Sequence, residues 1–297
     1  MSVAQLKELQ FVSPRSLAEA FEAMARARRD GLKAQPIAGC TDWMVERHAA
    51  PISQSPEATV VIDVTRLPEL AGIGERAGVV SIGAAQTFLA IARSGLLGDR
   101  CPLLVQMARE VGAAQIQARG TLGGNLVSGS PAADGVTALF ALDAKVWMAS
   151  ERGERAVAIR SFYTGYRASV LADDELVVRF EFKAPAAGSH QLWRKIGTRN
   201  AQAISKAAIA LVCELGPAGV VQRVGFGAGA VAPTVRPLSA AAALVLGKRV
   251  ADLDLDQLQR TIDSEIEPID DLRSTARYRR HLVCTLIRRF FERLGAR

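Results

Sequence analysis

Apolar positions three and four apart open the pattern. Leu17, Ala20, Phe21 and Met24 follow a Ser16-Leu17-Ala18-Glu19 capping box and precede a stop at Gly31, so the spacing predicts a first helix. Pro36-Ile37-Ala38-Gly39 reads as a short buried strand that ends in a tight turn at Gly39-Cys40-Thr41. A second helix then runs through Trp43, Met44 and Val45. Strands are expected at Val60–Val64 and Val79–Gly83, and helical stretches around Phe88–Leu97 and Pro102–Val111. From Gly112 to Asp134 the chain is rich in Gly, Ala, Ser and Gln and has no amphipathic period, so it reads as a long ordered loop or a functional segment. Ser130-Pro131 has the form of an N-cap and first helical residue. The helix it opens would bury Val136, Leu139 and Phe140, with Asp134 in or near the first turn.

Lys145–Met148 reads as a strand, and Leu176–Phe182 alternates as a half-exposed one. Ala184–Ser189 combines small residues with Pro and Gly between two strand-like runs, which predicts a linker and a domain boundary there. Strands near Leu192–Ile196 and Val220–Ala228 follow, then helices near Leu238–Leu246, Asp254–Ser264 and Ala276–Leu294. The last carries an apolar stripe at Val283, Leu286, Ile287, Phe290 and Leu294. The class is α/β without the regular period of a barrel, and no internal repeat is visible. A length of 297 residues fits two domains at about 150 residues each.

Composition narrows the function by exclusion. Hydrophobic residues are 49% and charged residues 23%, and no stretch supplies the roughly 20 apolar residues a membrane span needs. The start, Met1-Ser2-Val3-Ala4-Gln5-Leu6-Lys7-Glu8, lacks a basic region leading into an apolar one, so a cytoplasmic location is expected. The net charge of +7 rests mostly on dispersed Arg. With 5% aromatics and no interleaving of aromatic and basic residues, no nucleic-acid partner is expected. The four cysteines, Cys40, Cys101, Cys213 and Cys284, and the three histidines are too scattered to nominate a metal site or a triad. Redox chemistry in this chain would need an organic cofactor.

Two segments fit a loose G-x-G-x-x-A fingerprint, Gly72–Ala77 and Gly225–Ala230. The first runs into a strand and the second into Val231-Ala232-Pro233, whereas the fingerprint needs a helix behind it, so both are read as decoys. The stronger signal is a pair of distant glycine turns, Ile37–Asp42 (IAGCTD) and Gly120–Asn125 (GTLGGN). Glycine lets the backbone approach closely, successive N–H groups form an anion-binding nest, and Thr41 and Thr121 add hydroxyl donors. Two such turns suit one diphosphate.

These turns resemble the paired FAD-binding loops of the flavin subunits of the xanthine dehydrogenase and carbon monoxide dehydrogenase family. Gln115–Asn125 (QIQARGTLGGN) and Ser128–Asp134 (SGSPAAD) resemble that family's second loop. Phe162–Arg167, Asp174–Leu176, Arg194–Asn200, Pro268–Asp271 and Arg273–Arg279 extend the likeness over nearly the whole chain. The resemblance implies a two-subdomain FAD-binding region of the PCMH or vanillyl-alcohol-oxidase type, about residues 1–60 and 61–183, and a C-terminal α+β domain over 184–297. It nominates Pro36, Ile37, Ala38, Gly39, Cys40, Thr41 and Asp42 from the first loop and Thr121, Gly123, Gly124, Asn125 and Ser128 from the second. Asp134 would carry cofactor hydroxyls, while Val178 and Lys206 would stand by the flavin ring.

Two positions depart from the family pattern. Cys40 stands where many relatives have Gly, at a cost of roughly 1 kcal/mol if the turn needs positive φ. Val111 stands where some relatives place an aromatic against the flavin. The implied function is an electron relay with no catalytic residue of its own. FAD would take electrons from the two-iron iron–sulfur clusters of a small subunit, beside a large molybdopterin-binding subunit, in a dimer of heterotrimers. NAD, oxygen or another acceptor would receive them. Two other readings stay open on the sequence: a self-contained flavin oxidase or reductase of the same fold, and a non-catalytic scaffold with a decayed site.

Overall fold

The computed structural model describes residues 9–49, 58–199 and 202–296. Its first layer is a parallel sheet in the order β1-β3-β2, from β1 (Leu9–Val12), β2 (Lys33–Ile37) and β3 (Thr59–Asp63). The apolar run of β3 takes the centre, and β2 is an edge strand, which is where Pro36 with its missing N–H is tolerated. Helix α1 (Leu17–Arg29) packs on this sheet through Ala20, Phe21, Met24 and Ala27. At its start the Ser16 side chain accepts from the Glu19 amide, as the capping box predicts, while Glu19 Oε2 accepts from the Arg15 amide at 2.8 Å. Helix α2 (Trp43–Ala49) follows the first glycine turn.

The second layer is an antiparallel sheet of β4 (Ile73–Arg76), β5 (Val79–Gly83), β6 (Lys145–Ser150), β7 (Gly153–Ala158) and β10 (Leu176–Lys183), in the order β4-β5-β10-β6-β7. A small hairpin, β8 (Tyr163–Gly165) with β9 (Ala168–Ser169), stands beside it. The expected helix around Phe88–Leu97 is divided into α3 (Phe88–Arg93) and α4 (Gly95–Arg100). Ser94 ends the first and caps the second, its Oγ accepting from the Leu97 amide at 3.2 Å. Helix α5 (Pro102–Glu110) comes next.

The segment expected as a loop, Gly112–Asp134, instead holds two one-and-a-half-turn helices, α6 (Ala114–Arg119) and α7 (Leu122–Val127). Six residues are too few to display a helical period, so the pattern could not reveal them. Helix α8 (Asp134–Ala141) begins later than predicted. Ser130 uses its Oγ to accept from the Ala132 amide and its carbonyl to accept from the Ala133 amide, forming a turn outside the helix in place of a cap.

The C-terminal unit is an antiparallel sheet, β11 (His190–Ile196), β12 (Ala207–Leu215) and β13 (Val221–Gly229), backed by α9 (Ser239–Val245), α10 (Leu255–Glu265) and α11 (Ala276–Gly295). The central strand β12 was invisible to pattern reading because Ala207–Cys213 is an unbroken apolar run, buried on both faces. Its alternation separates two cores. Ala208, Ala210 and Val212 pack with the first 184 residues, whereas Ala207, Ile209, Leu211 and Cys213 pack with α9, α10 and α11. All eight residues of α8 are buried, and β13 lies against them. A Cβ at Gly225 would strike the Ala141 carbonyl and one at Gly227 the Thr137 carbonyl, so the second decoy fingerprint serves close helix–strand packing.

Candidate cofactor site

A cleft of about 910 Å³ opens between the parallel sheet and the antiparallel one. One wall is the end of β2, the loop Ala38–Asp42 and the start of α2. The other is Gly120–Ser128, Val111 and residues 167–177. In the first turn Cys40 takes φ +61°, the left-handed conformation that L-residues resist, and its Sγ donates back to the Ala38 carbonyl at 3.4 Å. The carbonyls of Cys40 and Asp42 accept the first bonds of α2. The amides of Gly39, Cys40, Thr41 and Asp42 donate to no protein group among the described residues. Four consecutive free donors on one short loop are what an anion requires.

Gly39 has no room for a side chain. A Cβ there would lie on the Arg119 carbonyl and beside the Gly120 Cα, so the two glycine turns, far apart in sequence, meet backbone to backbone. The second turn is tied down differently. The Phe88 amide bonds the Gly120 carbonyl, the Leu122 amide the Gln86 carbonyl at 3.0 Å, the Gly123 amide the Ala84 carbonyl at 2.9 Å, and the Gly124 amide Thr121 Oγ1 at 3.0 Å. The nest expected here is therefore used internally, because the turn opens a capped helix sewn to Ala84–Phe88. What remains for a ligand is side-chain chemistry. Thr121 keeps its hydroxyl proton, Ser128 lines the cleft with its Oγ donating to the Asn125 carbonyl, and Asn125 Oδ1 is buried without a partner.

Of the residues nominated from sequence, Pro36, Ile37, Ala38, Gly39, Cys40, Thr41, Asp42, Val111, Thr121, Gly123, Gly124, Asn125 and Ser128 all line this cleft. Asp134, Val178 and Lys206 are not among the lining residues. The Asp134 carboxylate is 6% exposed and already engaged, accepting from Lys195 Nζ at 2.5 Å and Ser205 Oγ at 2.8 Å. Val178 is buried as the extra residue of a β-bulge between β10 and β6, and its neighbours Leu176 and Val177 reach the cleft instead. Lys206 is half-buried, with Nζ 5.7 Å from the centre of the Tyr278 ring.

Reading the sequence missed the polar rim. Arg167, at φ +52°, pairs with Glu46 at 3.0 Å, and Arg28 donates to the Asp173 carbonyl, so the two walls are joined across the cleft. Nothing in the spacing of these residues signals that they meet. Burial raises the Asp42 carboxyl above its ordinary value, with the nearby Glu46 adding to the rise and Arg167 opposing it. Burial likewise raises the Cys40 thiol, against the pull of Arg119. Glu175, held by a two-pronged contact with Arg155 and by the Ala172 amide, is lowered, so it stays ionised at the cleft wall.

Free amides in one turn, an unpartnered buried oxygen in the other, and a volume within the range of small-molecule sites fit an elongated, phosphate-bearing cofactor. Fold and site together define a dinucleotide-cofactor protein built on two sheets, with a third sheet docked behind. Residues 7–184 match the family described as the FAD binding domain in molybdopterin dehydrogenase, and residues 193–294 match the CO dehydrogenase flavoprotein C-terminal domain. The chain belongs to this family of FAD-binding dehydrogenase subunits, and is an oxidoreductase component of the molybdenum hydroxylase type.

Among its relatives, the nicotinate dehydrogenase FAD-subunit of Eubacterium barkeri is 32% identical over 218 residues, 72% of each chain. The xanthine dehydrogenase FAD-binding subunit of Escherichia coli O157:H7 is 28% identical over 280 residues, covering 92% of this chain and 91% of the relative. A solved carbon monoxide dehydrogenase from Hydrogenophaga pseudoflava superposes with a TM-score of 0.85 at 27% identity over 95% of both chains. Among the described residues no helix is long and apolar enough to cross a membrane.

Proposed function

We propose that FAD lies in the cleft with its diphosphate against the free amides of Gly39–Asp42, and that the chain relays electrons from a partner's iron–sulfur clusters to a soluble acceptor. The observation that carries this reading is the row of unused amides at the point where the two turns touch. Bound FAD supplies the exchange between single and paired electron transfers. The protein's part is to hold and orient. The first turn offers backbone donors to negative charge, Thr121, Asn125 and Ser128 offer side-chain groups from the facing wall, and Val111, Leu176 and Val177 present apolar surface. Asp134, Val178 and Lys206 are assigned a supporting role, since none of them lines the cleft.

No catalytic acid or base is assigned to this chain. Substrate oxidation belongs in this reading to a molybdopterin-binding large subunit, with a small iron–sulfur subunit between the two, in a dimer of heterotrimers in the cytoplasm. NAD is a candidate acceptor beside oxygen. The FAD-binding region is taken as residues 1–183 and the C-terminal domain as 184–297. The test is to purify the chain alone and in its native assembly. The isolated chain is expected to release FAD on acid precipitation and to show no cluster signal by electron paramagnetic resonance after dithionite. Substrate turnover by a homo-oligomer without molybdenum or a second polypeptide would overturn the relay.

A further inference from the structure

Behind the cleft wall stands a buried cation that the relay reading does not use. On β11, Gln191, Trp193 and Lys195 lie two apart and so project from one face. All three reach into the FAD-binding region. Gln191 Nε2 donates to the Arg100 carbonyl at 3.1 Å, Trp193 Nε1 to Glu110 Oε2 at 3.0 Å, and Lys195 Nζ to the Glu110 carbonyl at 3.1 Å. Lys195 also holds Asp134 at 2.5 Å, with side chains 9% and 7% exposed, and Ser205 Oγ completes the carboxylate at 2.8 Å. One contact of the ammonium adjoins a cleft residue in sequence, and the other reaches one through its neighbour. Glu110 ends α5 and is followed by Val111, which lines the cleft. Asp134 opens α8 and is followed by Gly135, where a Cβ would press on Asn125 Oδ1.

Resting on the reading that the cleft takes FAD, we propose that Lys195 is a positioning residue: its ammonium fixes Val111 through the Glu110 carbonyl, and Asn125 through Asp134 and the start of α8. Cohesion between the two units alone does not call for a charge here. A buried ion pair is often no more stabilising than an apolar pair of equal volume, and it survives desolvation only where geometry is tight and further hydrogen bonds support the charges, as the Glu110 carbonyl does for the ammonium and Ser205 for the carboxylate. The pair fixes a distance and a direction that an apolar contact would leave loose. Trp193 supplies the internal comparison, because it grips the same Glu110 from the same strand without touching Asp134.

The experiment compares Lys195→Met, Lys195→Arg and Trp193→Phe in the full chain loaded with FAD. It reads FAD affinity by fluorescence quenching, the visible circular dichroism of the bound flavin and its midpoint potential, each against thermal stability. Lys195→Met is expected to bind FAD about tenfold or more weakly with a changed flavin spectrum and potential, the scale of losing one charge-assisted contact. Lys195→Arg is expected to restore most of the affinity. Trp193→Phe is expected to melt earlier while keeping the wild-type affinity and spectrum. Should Lys195→Met not fold, Lys195→Gln, which keeps a donor without the charge, makes the same comparison. If the lysine and tryptophan variants lose stability alike and leave affinity, spectrum and potential unmoved, the positioning role is overturned while the FAD reading stands. A wild-type chain that takes up no FAD overturns both.

Discussion

Gly39→Ala tests the site at its narrowest point. The added Cβ would fall on the Arg119 carbonyl, and the obstacle is backbone, which cannot swing aside as a side chain would. Overpacking of this kind costs about 1–3 kcal/mol, and with a rigid neighbour the upper half of that range applies. In a chain of 297 residues the unfolding entropy converts about 2–3 kcal/mol into a fall of about 3–5 °C in Tm. The cofactor should suffer more than the fold. Relief of the collision means parting the two turns, which withdraws first-turn amides from the diphosphate. Each hydrogen bond to a charged group is worth about 1.5–3 kcal/mol, so each one lost weakens FAD binding roughly tenfold to 150-fold. Flavin fluorescence quenching gives Kd, and calorimetry gives Tm. The matched control is Gly124→Ala, whose Cβ would meet only Thr121 Oγ1 at 3.0 Å in an exposed position, and which should shift Tm by no more than about 1 °C. Wild-type affinity in Gly39→Ala, or an equal Tm loss in Gly124→Ala, would refute the account of two turns in backbone contact.

Cys40→Gly should raise apo-protein stability by about 0.5–1 kcal/mol in urea titration, since relief of a left-handed L-residue (about 1–2 kcal/mol) outweighs the added chain entropy of glycine (about 0.5–1 kcal/mol). A loss would show that the Sγ contact with the Ala38 carbonyl offsets the strain. Glu46→Gln cuts the pair across the cleft mouth. With Glu46 57% and Arg167 53% exposed, the pair is worth at most about 1 kcal/mol, so stopped-flow release of FAD should quicken by no more than about fivefold, and high salt should erase the difference. Glu175→Gln bears on acid stability. Arg155 lowers the folded-state pKa of Glu175, so its contribution is present above the ordinary value of 4.5 and is lost as pH falls through the lowered one. As pH falls from about 6 through that lowered value, the wild type should lose more Tm than the variant, and parallel curves would contradict this.

What the sequence made legible follows from periodicity. Helix α1 and strand β5 were placed to within two residues because one has a 3.6-residue stripe and a cap, and the other a short apolar run between turn residues. The strand β12 was missed because burial on both faces removes alternation, and β4 because Ile73-Gly74-Glu75-Arg76 carries a single apolar residue for an exposed edge. The helices α6 and α7 were missed because six residues give no period. Glycine turns, in contrast, need no period to be seen. Hence every nominated residue of the two glycine turns lines the cleft, while the pair that spans it, Arg167 with Glu46, and the pair buried behind its wall, Lys195 with Asp134, lie 121 and 61 residues apart and had no local signature.

The two turns look equivalent as sequence, yet the chain around each gives it a different kind of chemistry. The first leaves an edge strand of a parallel sheet, and beyond Ile37 no neighbouring strand accepts its amides, so its backbone donors stay open to a ligand. That is why Cys can stand at position 40: a donor N–H survives any side chain, and only the left-handed φ is taxed. The second turn enters a helix whose opening amides are met by Ala84, Gln86 and Thr121, so its backbone is a fixed frame, and Thr121, Asn125 and Ser128 line the cleft on that frame. The second wall's backbone donors are thus already spent within the protein, and those still open to a ligand lie on the short loop Gly39–Asp42, which is held by its contact with Arg119 and by the first bonds of α2.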